Sequence, residues 1–183
     1  MGEGKTILVD IPTNSLSPVY KVNRLSKWKI GKTVTNKNGD STFKVFGTVD
    51  SLKDSNQLIL VIRSGKGNED GLKMISIPNS EAKLGGGSYL LFNASTIGIK
   101  GKLSDKEFEI KPGVFAVVRP SPSKIKGVSK YCDVKMSHLR DEIPQLFLTA
   151  TWRLSDKARS FVIFHNDPKS KQLRMHTIKD YIR

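Results

Sequence analysis

Residues 52–77 (LKDSNQLILVIRSGKGNEDGLKMISI) and residues 154–178 (LSDKARSFVIFHNDPKSKQLRMHTI) follow the same pattern. A Leu-x-Asp triplet opens both, and the apolar runs at 59–62 and 161–164 align at an offset of 102 residues (154 − 52 = 102). One gap in the polar loop then aligns the second apolar segments. An internal repeat constrains the architecture more strongly than a single motif does. The pattern predicts a duplicated β-hairpin; the competing interpretation is that any two hairpins of a β protein look this similar.

Short stretches with apolar residues at every second position occur along the whole chain. They are residues 6–11, 42–46, 72–77 and 106–110. This period of two, rich in β-branched and aromatic residues, is typical of strands. Only residues 137–145 favour a helical turn, which Pro144 would end. We therefore predict an all-β protein, and a repeat length of about 100 residues favours tandem immunoglobulin-like β-sandwich domains related by the internal repeat.

The repeat predicts an N-terminal β-sandwich domain over residues 1–82 and a C-terminal one over residues 83–183. Between the two halves, residues 79–87 (NSEAKLGGG) combine polar side chains with three glycines. This composition favours a flexible connection. The opening strands of the two halves are expected at residues 7–10 and 90–93.

The second half is longer because residues 120–145 have no counterpart in the first. Extra length on a repeated scaffold often forms a surface loop, and binding residues often lie on such loops. This insert is basic, in a chain with 31 Lys and Arg against 17 Asp and Glu (31 − 17 = +14). We expect its cations to be exposed, since charged side chains are rarely buried. The candidate anion-binding residues are Lys124, Lys126, Lys130 and Tyr131, the lysines supplying charge and the ring a stacking face.

A strongly basic surface can bind an anionic polymer, a component of the cell envelope or a nucleic acid. Nucleic acid is the least favoured of these partners, because no RNP, KH or helix-turn-helix signature accompanies the cations. The longest apolar run, residues 58–62, is far shorter than the roughly 20 residues of a membrane-spanning helix. No membrane span is predicted. A second basic cluster, formed by Lys21, Arg24, Lys27 and Lys29, surrounds Trp28.

Residues that could support nucleophilic catalysis occur together once, in the basic insert. Cys132, His138 and Asp141 are a nucleophile, a base and an acid, but no strand-to-helix setting of a catalytic cysteine accompanies them. Glu107 and Glu109 alternate with apolar residues, as on the solvent-facing side of a strand. The glycine-containing loop 65–71 lacks the GxxxxGK[ST] pattern of a phosphate-binding loop. We therefore predict no catalytic residues, no cofactor and no enzyme activity.

Metal-ligand spacings are missing as well, so no metal site is predicted. His165 and His176 could face the same side of a final hairpin, but the interpretation we favour is two polar positions on the outside of the sheet. Trp152 alternates with Ala150 and Leu154, a pattern that favours a core position. Core packing is also the favoured interpretation for Trp28.

Residues 88–113 (SYLLFNASTIGIKGKLSDKEFEIKPG) contain the element FNxS followed by GKLxDKxFxIxPG. With the closing stretches 160–164 and 173–178, this segment resembles a group of exported, β-rich bacterial proteins that have no assigned activity. The resemblance implies export to the periplasm or the cell surface. The first residues of this chain do not have the pattern of a signal peptide, so the resemblance implies a leader upstream, and a cytoplasmic location stays open.

Three hypotheses for function follow. The favoured one is a non-catalytic, exported binding or structural protein of the bacterial envelope, with an anionic polymer or an envelope component as partner. The first alternative is a basic module that binds nucleic acid or another polyanion. The second is an enzyme whose site carries no recognisable motif.

Overall fold

The computed structural model describes residues 6–53, 56–63, 72–140, 143–167 and 169–182. The elements in these ranges are strands apart from one short helix, so the prediction of an all-β protein is confirmed. The chain divides into two compact units. One unit is Tyr20–Lys83; the other is Leu84–Arg183 together with the described part of Met1–Val19.

The smaller unit, Tyr20–Lys83, contains two antiparallel hairpins. Its strands are β1 (Lys27–Thr35), β2 (Ser41–Asp50), β3 (Gln57–Arg63) and β4 (Leu72–Pro78). β1 pairs with β2, β3 pairs with β4, and β2 contacts β4. Val49, Met74 and Ile77 are buried in this unit. Trp28 is half-buried, and Lys27 beside it forms an ion pair of 3.4 Å with Asp50.

The remaining nine strands of the described residues belong to the larger unit, and the helix α1 (Glu81–Leu84) precedes them. The strands are β5 (Tyr89–Asn93), β6 (Ile99–Leu103), β7 (Lys106–Ile110), β8 (Phe115–Val118), β9 (Lys124–Lys126), β10 (Ser129–Arg140), β11 (Ile143–Leu154), β12 (Ala158–Asn166) and β13 (Leu173–Tyr181). One sheet has the order β11-β10-β6-β7, with β9 also paired to β10. The other has the order β13-β12-β5-β8, in which β5 and β12 are parallel.

The inner faces of these two sheets meet in one hydrophobic cluster. Leu91 and Phe164 from the four-stranded sheet and Val134 and Met136 from β10 are fully buried in it. Aromatic contacts join the sheets: the ring of Tyr89 lies 5.3 Å from that of Trp152. The predicted core position of Trp152 is thus confirmed. The core of the larger unit therefore lies between its two sheets.

The alternation of apolar and polar residues predicts three of the four expected strands correctly. Residues 42–46, 72–77 and 106–110 lie in β2, β4 and β7. Residues 6–11 form no strand, so the predicted opening strand of the first half is wrong. These residues pair with no described strand, and the side chain of Leu8 is 96% exposed.

The internal repeat and the tandem immunoglobulin-like arrangement are not confirmed. Both aligned segments do form hairpins, β3–β4 and β12–β13. Their surroundings differ, however, because β12 is an inner strand with β5 as its second neighbour. Within the described residues, β3 pairs only with β4. The sequence pattern thus describes the hairpins and not the sheets around them.

The basic insert is not a surface loop but part of a sheet. Residues 120–145 contain β9, β10 and the start of β11, and β10 is an inner strand of its sheet. The helical turn predicted over residues 137–145 is also wrong. In β10, Cys132, Val134 and Met136 are buried while the residues between them are charged. The charged residues lie on the opposite face of the strand, and their number obscures its period of two.

The three glycines of residues 85–87 are held in place rather than forming a free connection. They lie within the larger unit, and the N–H of Gly87 donates to the carbonyls of Ser155 (2.9 Å) and Ala158 (2.8 Å). Gly87 has a φ of +73°, a conformation that favours glycine. Glycine here allows close backbone approach to the turn at 155–158 rather than flexibility.

Candidate anion-binding face

The outer face of β10 carries the candidate site. Tyr131 is half-buried and Asp133 is exposed on this face, opposite to the buried Cys132. In the neighbouring β11, Arg153 lies directly across from Tyr131, and Thr151 directly across from Asp133. Side chains of directly opposed residues lie about 5 Å apart at their Cβ atoms. The register therefore places an aromatic ring, a guanidinium and a carboxylate on one patch.

The short strand β9 adds two lysines on the other side of Tyr131. Lys124 pairs with Tyr131, and Lys126 pairs with Ser129. Lys124, Lys126, Tyr131 and Thr151 line a shallow depression of about 170 Å³. We call the patch formed by Lys124, Lys126, Tyr131, Asp133, Thr151 and Arg153 the Tyr131 face. Tyr131 lies between a cation on β9 and a cation on β11.

Three of the four predicted anion-binding residues are brought together here, and Lys130 is not. Strand alternation turns the Lys130 side chain to the face opposite Tyr131. Its Nζ atom forms an ion pair of 2.6 Å with Oδ2 of Asp156. Sequence reasoning missed Asp133, Thr151 and Arg153 as members of the site, because only the β10–β11 register places them beside Tyr131.

The cations of the Tyr131 face form no ion pair with a described acid. Within the described part of the chain, no ion pair shorter than 4 Å involves Lys124, Lys126 or Arg153. The expected exposure of the insert's cations is confirmed for most of them. Lys124, Lys126, Lys135 and Arg140 are exposed, whereas Lys130 is half-buried.

The same sheet face shows the opposite situation at β6 and β7. Lys100 pairs with Glu109 at 3.1 Å, and Lys102 pairs with Glu107 at 3.5 Å. Glu107 and Glu109 thus lie on the solvent-facing side of a strand, as expected, each against a lysine. These two lysines provide an internal comparison for the uncompensated cations around Tyr131.

Two groups outside the Tyr131 face hold its β9 side in position. The N–H of Ser123 donates to the carbonyl of Tyr131 at 2.9 Å, and the N–H of Asp133 donates to Oγ of Ser123 at 3.0 Å. The carboxylate of Asp105 accepts the N–H of Ser121 at 2.8 Å. That hydrogen bond and the neighbouring Lys106 lower the pKa of Asp105 to about 2. The segment before β9 is therefore tied to the β6–β7 turn.

This contact gives the first testable prediction. Because the pKa of Asp105 is lower in the folded protein than its ordinary value of 3.8, its contribution to stability is present above about pH 4 and is lost as the pH falls through about 2. We expect the Asp105 carboxyl carbon to titrate in NMR spectra with a midpoint near 2, and the Ser121 amide shift to change with it. A midpoint near 3.8 would contradict the contact.

The nucleophile and the base of the insert are not brought together. Cys132 and His138 are six residues apart on β10, which corresponds to about 20 Å. Burial raises the pKa of the Cys132 thiol, which disfavours the reactive thiolate. His138 stacks on Phe147 with 6.2 Å between ring centroids. Asp141 and the loop 65–71 lie outside the described residues.

His165 and His176 do share one face of the β12–β13 hairpin. His165 pairs with Arg174, and His176 pairs with Ile163, so the two rings are diagonal neighbours on the face opposite Phe164. The described residues contain no group of three or more His, Cys, Asp or Glu that could hold a metal ion. Among them there is also no helix long and apolar enough to cross a membrane.

Comparison with known proteins adds no relative. No family model matches the sequence, and a search of curated proteins finds no match. The geometry therefore defines the class by itself: an all-β protein with a group of cations on the outer face of a sheet that form no ion pair with other described residues.

Proposed function

We propose that this protein is a non-catalytic binding protein of the bacterial envelope that holds an anionic polymer on the Tyr131 face. The observation that carries the proposal is a cluster of exposed cations around Tyr131, Lys124, Lys126 and Arg153, which form no ion pair with any other described residue. The three lie on paired strands, which fix their spacing before a ligand arrives. Export remains supported only by the resemblance of residues 88–113 to exported bacterial proteins.

The shape of the site favours a polymer over a small molecule. Pockets for small ligands usually enclose about 300–1,000 Å³, whereas the depression beside Tyr131 has a volume of about 170 Å³. A shallow site can bury only part of one ligand unit. A polymer compensates by placing neighbouring units on the adjoining cations.

The non-catalytic part of the proposal rests on the positions of the candidate groups. Cys132 is buried and far from His138, and Glu107 and Glu109 are each paired with a lysine. For the larger unit we propose an immunoglobulin-like β-sandwich. Two sheets that share one hydrophobic core support that class.

The proposal predicts that charge at β9 controls binding. Each exposed ionic contact contributes about 0.2–1 kcal/mol, so the double variant Lys124→Ala/Lys126→Ala should bind a polyanion such as heparin about two- to thirtyfold more weakly. Binding should also weaken for the unmodified protein when the salt concentration rises from about 0.1 M to about 1 M, because the Debye length shortens about threefold. Isothermal titration calorimetry measures both effects.

The matched control is Lys100→Ala/Lys102→Ala. These substitutions remove the same charge from the same face of the same sheet, but the two lysines are paired with Glu109 and Glu107. We expect this variant to bind nearly as tightly as the unmodified protein. Equal losses in both double variants would mean that net charge, not the Tyr131 face, drives binding, and would contradict the proposal.

A further inference from the structure

We infer that the polymer held by the Tyr131 face is an acidic polysaccharide. A sugar ring packs on Tyr131, a ring hydroxyl donates to Asp133, and acidic groups contact Lys124, Lys126 and Arg153. This inference rests on the proposed function and adds the chemical class of the ligand to it.

The aromatic ring supplies the first part of the argument. Tyr131 is half-buried and lines the depression. An amphipathic ring of this kind offers an apolar face and loses little conformational entropy on binding. Pyranose rings present apolar C–H groups on their faces and hydroxyls at their edges. They match an aromatic platform that has polar groups at its margin.

Asp133 supplies the second part. It is an exposed carboxylate within an otherwise basic patch, and Oγ1 of Thr151 donates to its Oδ1 atom at 3.3 Å. Its Oδ2 atom forms no hydrogen bond or ion pair with any other described residue. A carboxylate can only accept hydrogen bonds. A ligand that fits this position must therefore carry donors close to its acidic groups.

The need for hydrogen-bond donors beside the acidic groups distinguishes sugars from other anionic polymers. Phosphate backbones and simple polycarboxylates present acceptors only, so Asp133 repels them. Sugars present a hydroxyl donor at almost every ring carbon. Asp133 lies two residues from Tyr131 on the same strand face, about 6.6 Å along the strand. A sugar ring seated on Tyr131 therefore brings its edge hydroxyls towards Asp133 while its acidic group is directed to the cations.

The test compares polygalacturonate with polyacrylate chains that carry the same number of carboxylates. Both are polycarboxylates, but only the first has rings and hydroxyls. We expect the unmodified protein to bind polygalacturonate about tenfold more tightly, as loss of a hydrogen bond to a charged group predicts. Asp133→Ala should weaken polygalacturonate binding about tenfold and strengthen polyacrylate binding. Tyr131→Ala should weaken polygalacturonate binding alone.

Two control variants make the same chemical changes elsewhere. Asp50→Ala removes an exposed carboxylate in the smaller unit, and Tyr181→Ala removes a tyrosine that is 67% exposed on β13. Neither should alter the preference for polygalacturonate. Thermal unfolding of every variant shows whether a loss of binding reflects a loss of fold.

The outcomes separate this inference from the proposed function. Equal binding of the two polymers, with Asp133→Ala strengthening both, would overturn the polysaccharide assignment and leave the polyanion site standing. Tighter binding of single-stranded DNA than of polygalacturonate would also overturn it. If neither polymer binds at low salt, the proposed function fails and the inference fails with it.

Discussion

Replacing Asn93 with alanine is expected to lower the free energy of unfolding of the larger unit by about 3–5 kcal/mol. Asn93 is fully buried, and its amide nitrogen donates to the carbonyls of Ile97 (2.7 Å) and Ile110 (2.9 Å). Its amide oxygen accepts the N–H of Ser95 at 3.0 Å and the Ser95 hydroxyl at 2.6 Å. Alanine removes all four of these hydrogen bonds from a site that water does not reach.

The measurement is chemical denaturation, with Asn36→Ala as the matched control. Asn36 makes a similar set of bonds in the exposed β1–β2 turn, accepting the N–H groups of Asn38 and Asp40. Water can replace those bonds, so we expect a loss of less than about 1 kcal/mol. Similar losses in the two variants would contradict the assigned role of Asn93.

The variant Asn93→Asp refines this prediction. Aspartate keeps the acceptor for Ser95 but turns the donor facing Ile97 and Ile110 into a second acceptor. Burial beside two carbonyls disfavours the charged form, so the folded-state pKa of the introduced carboxyl is expected to lie above its unfolded-state value. The unfolded state then releases its proton first, and stability should fall as the pH rises from about 4 to about 7.

Gly86→Ala is expected to destabilise the larger unit by at least about 3 kcal/mol, which is the upper end of the usual cost of adding a group to a well-packed site. A Cβ atom on Gly86 would overlap the carbonyl oxygen of Asp156. Because this oxygen belongs to the backbone, it cannot rotate away. The backbone would have to shift instead, and the hydrogen bonds from Gly87 to the 155–158 turn would lengthen or break. Thermal unfolding followed by circular dichroism measures the shift.

Gly98→Ala is the control for this second variant. A Cβ atom there would lie 3.0 Å from Cδ1 of Leu139, the mobile end of a side chain. We expect a change of less than about 1 kcal/mol, because that side chain can adjust its rotamer. A Gly86→Ala protein as stable as Gly98→Ala would show that residues 85–87 are not packed against the turn.

The sequence predicts strands well where apolar and polar residues alternate, as in β4 and β7. The prediction is wrong for β10, because its outer face carries so many charges that residues 120–145 have the composition of a surface loop. The sequence also does not show that β3 and β12 have different neighbours in their sheets. Their apolar runs are alike, but the second neighbour of β12 is β5, which lies far away in the chain. Pairing between strands so far apart in the chain does not change the local alternation of apolar and polar residues.

The candidate site is predictable only in part for the same reason. Lys124, Lys126 and Tyr131 are close in the sequence, and a short antiparallel pair keeps them together. Lys130 is equally close, but strand alternation places it on the other face. Arg153 and Thr151 join the site through the β10–β11 register, whose shift between Met136 and Ser137 is a local irregularity. Composition alone carries no information about that register.

The parallel pairing of β5 with β12 also affects how the chain can fold during synthesis. Tyr89 pairs with Ser160, 71 residues later (160 − 89 = 71). At about 5–20 residues per second, a ribosome needs roughly 4–14 s to make that stretch. During this interval the apolar strand β5 has one edge without its native neighbour, and unpaired apolar edges promote aggregation. The larger unit is therefore expected to complete its sheet late and to depend on protection of β5 while the rest of the chain is made.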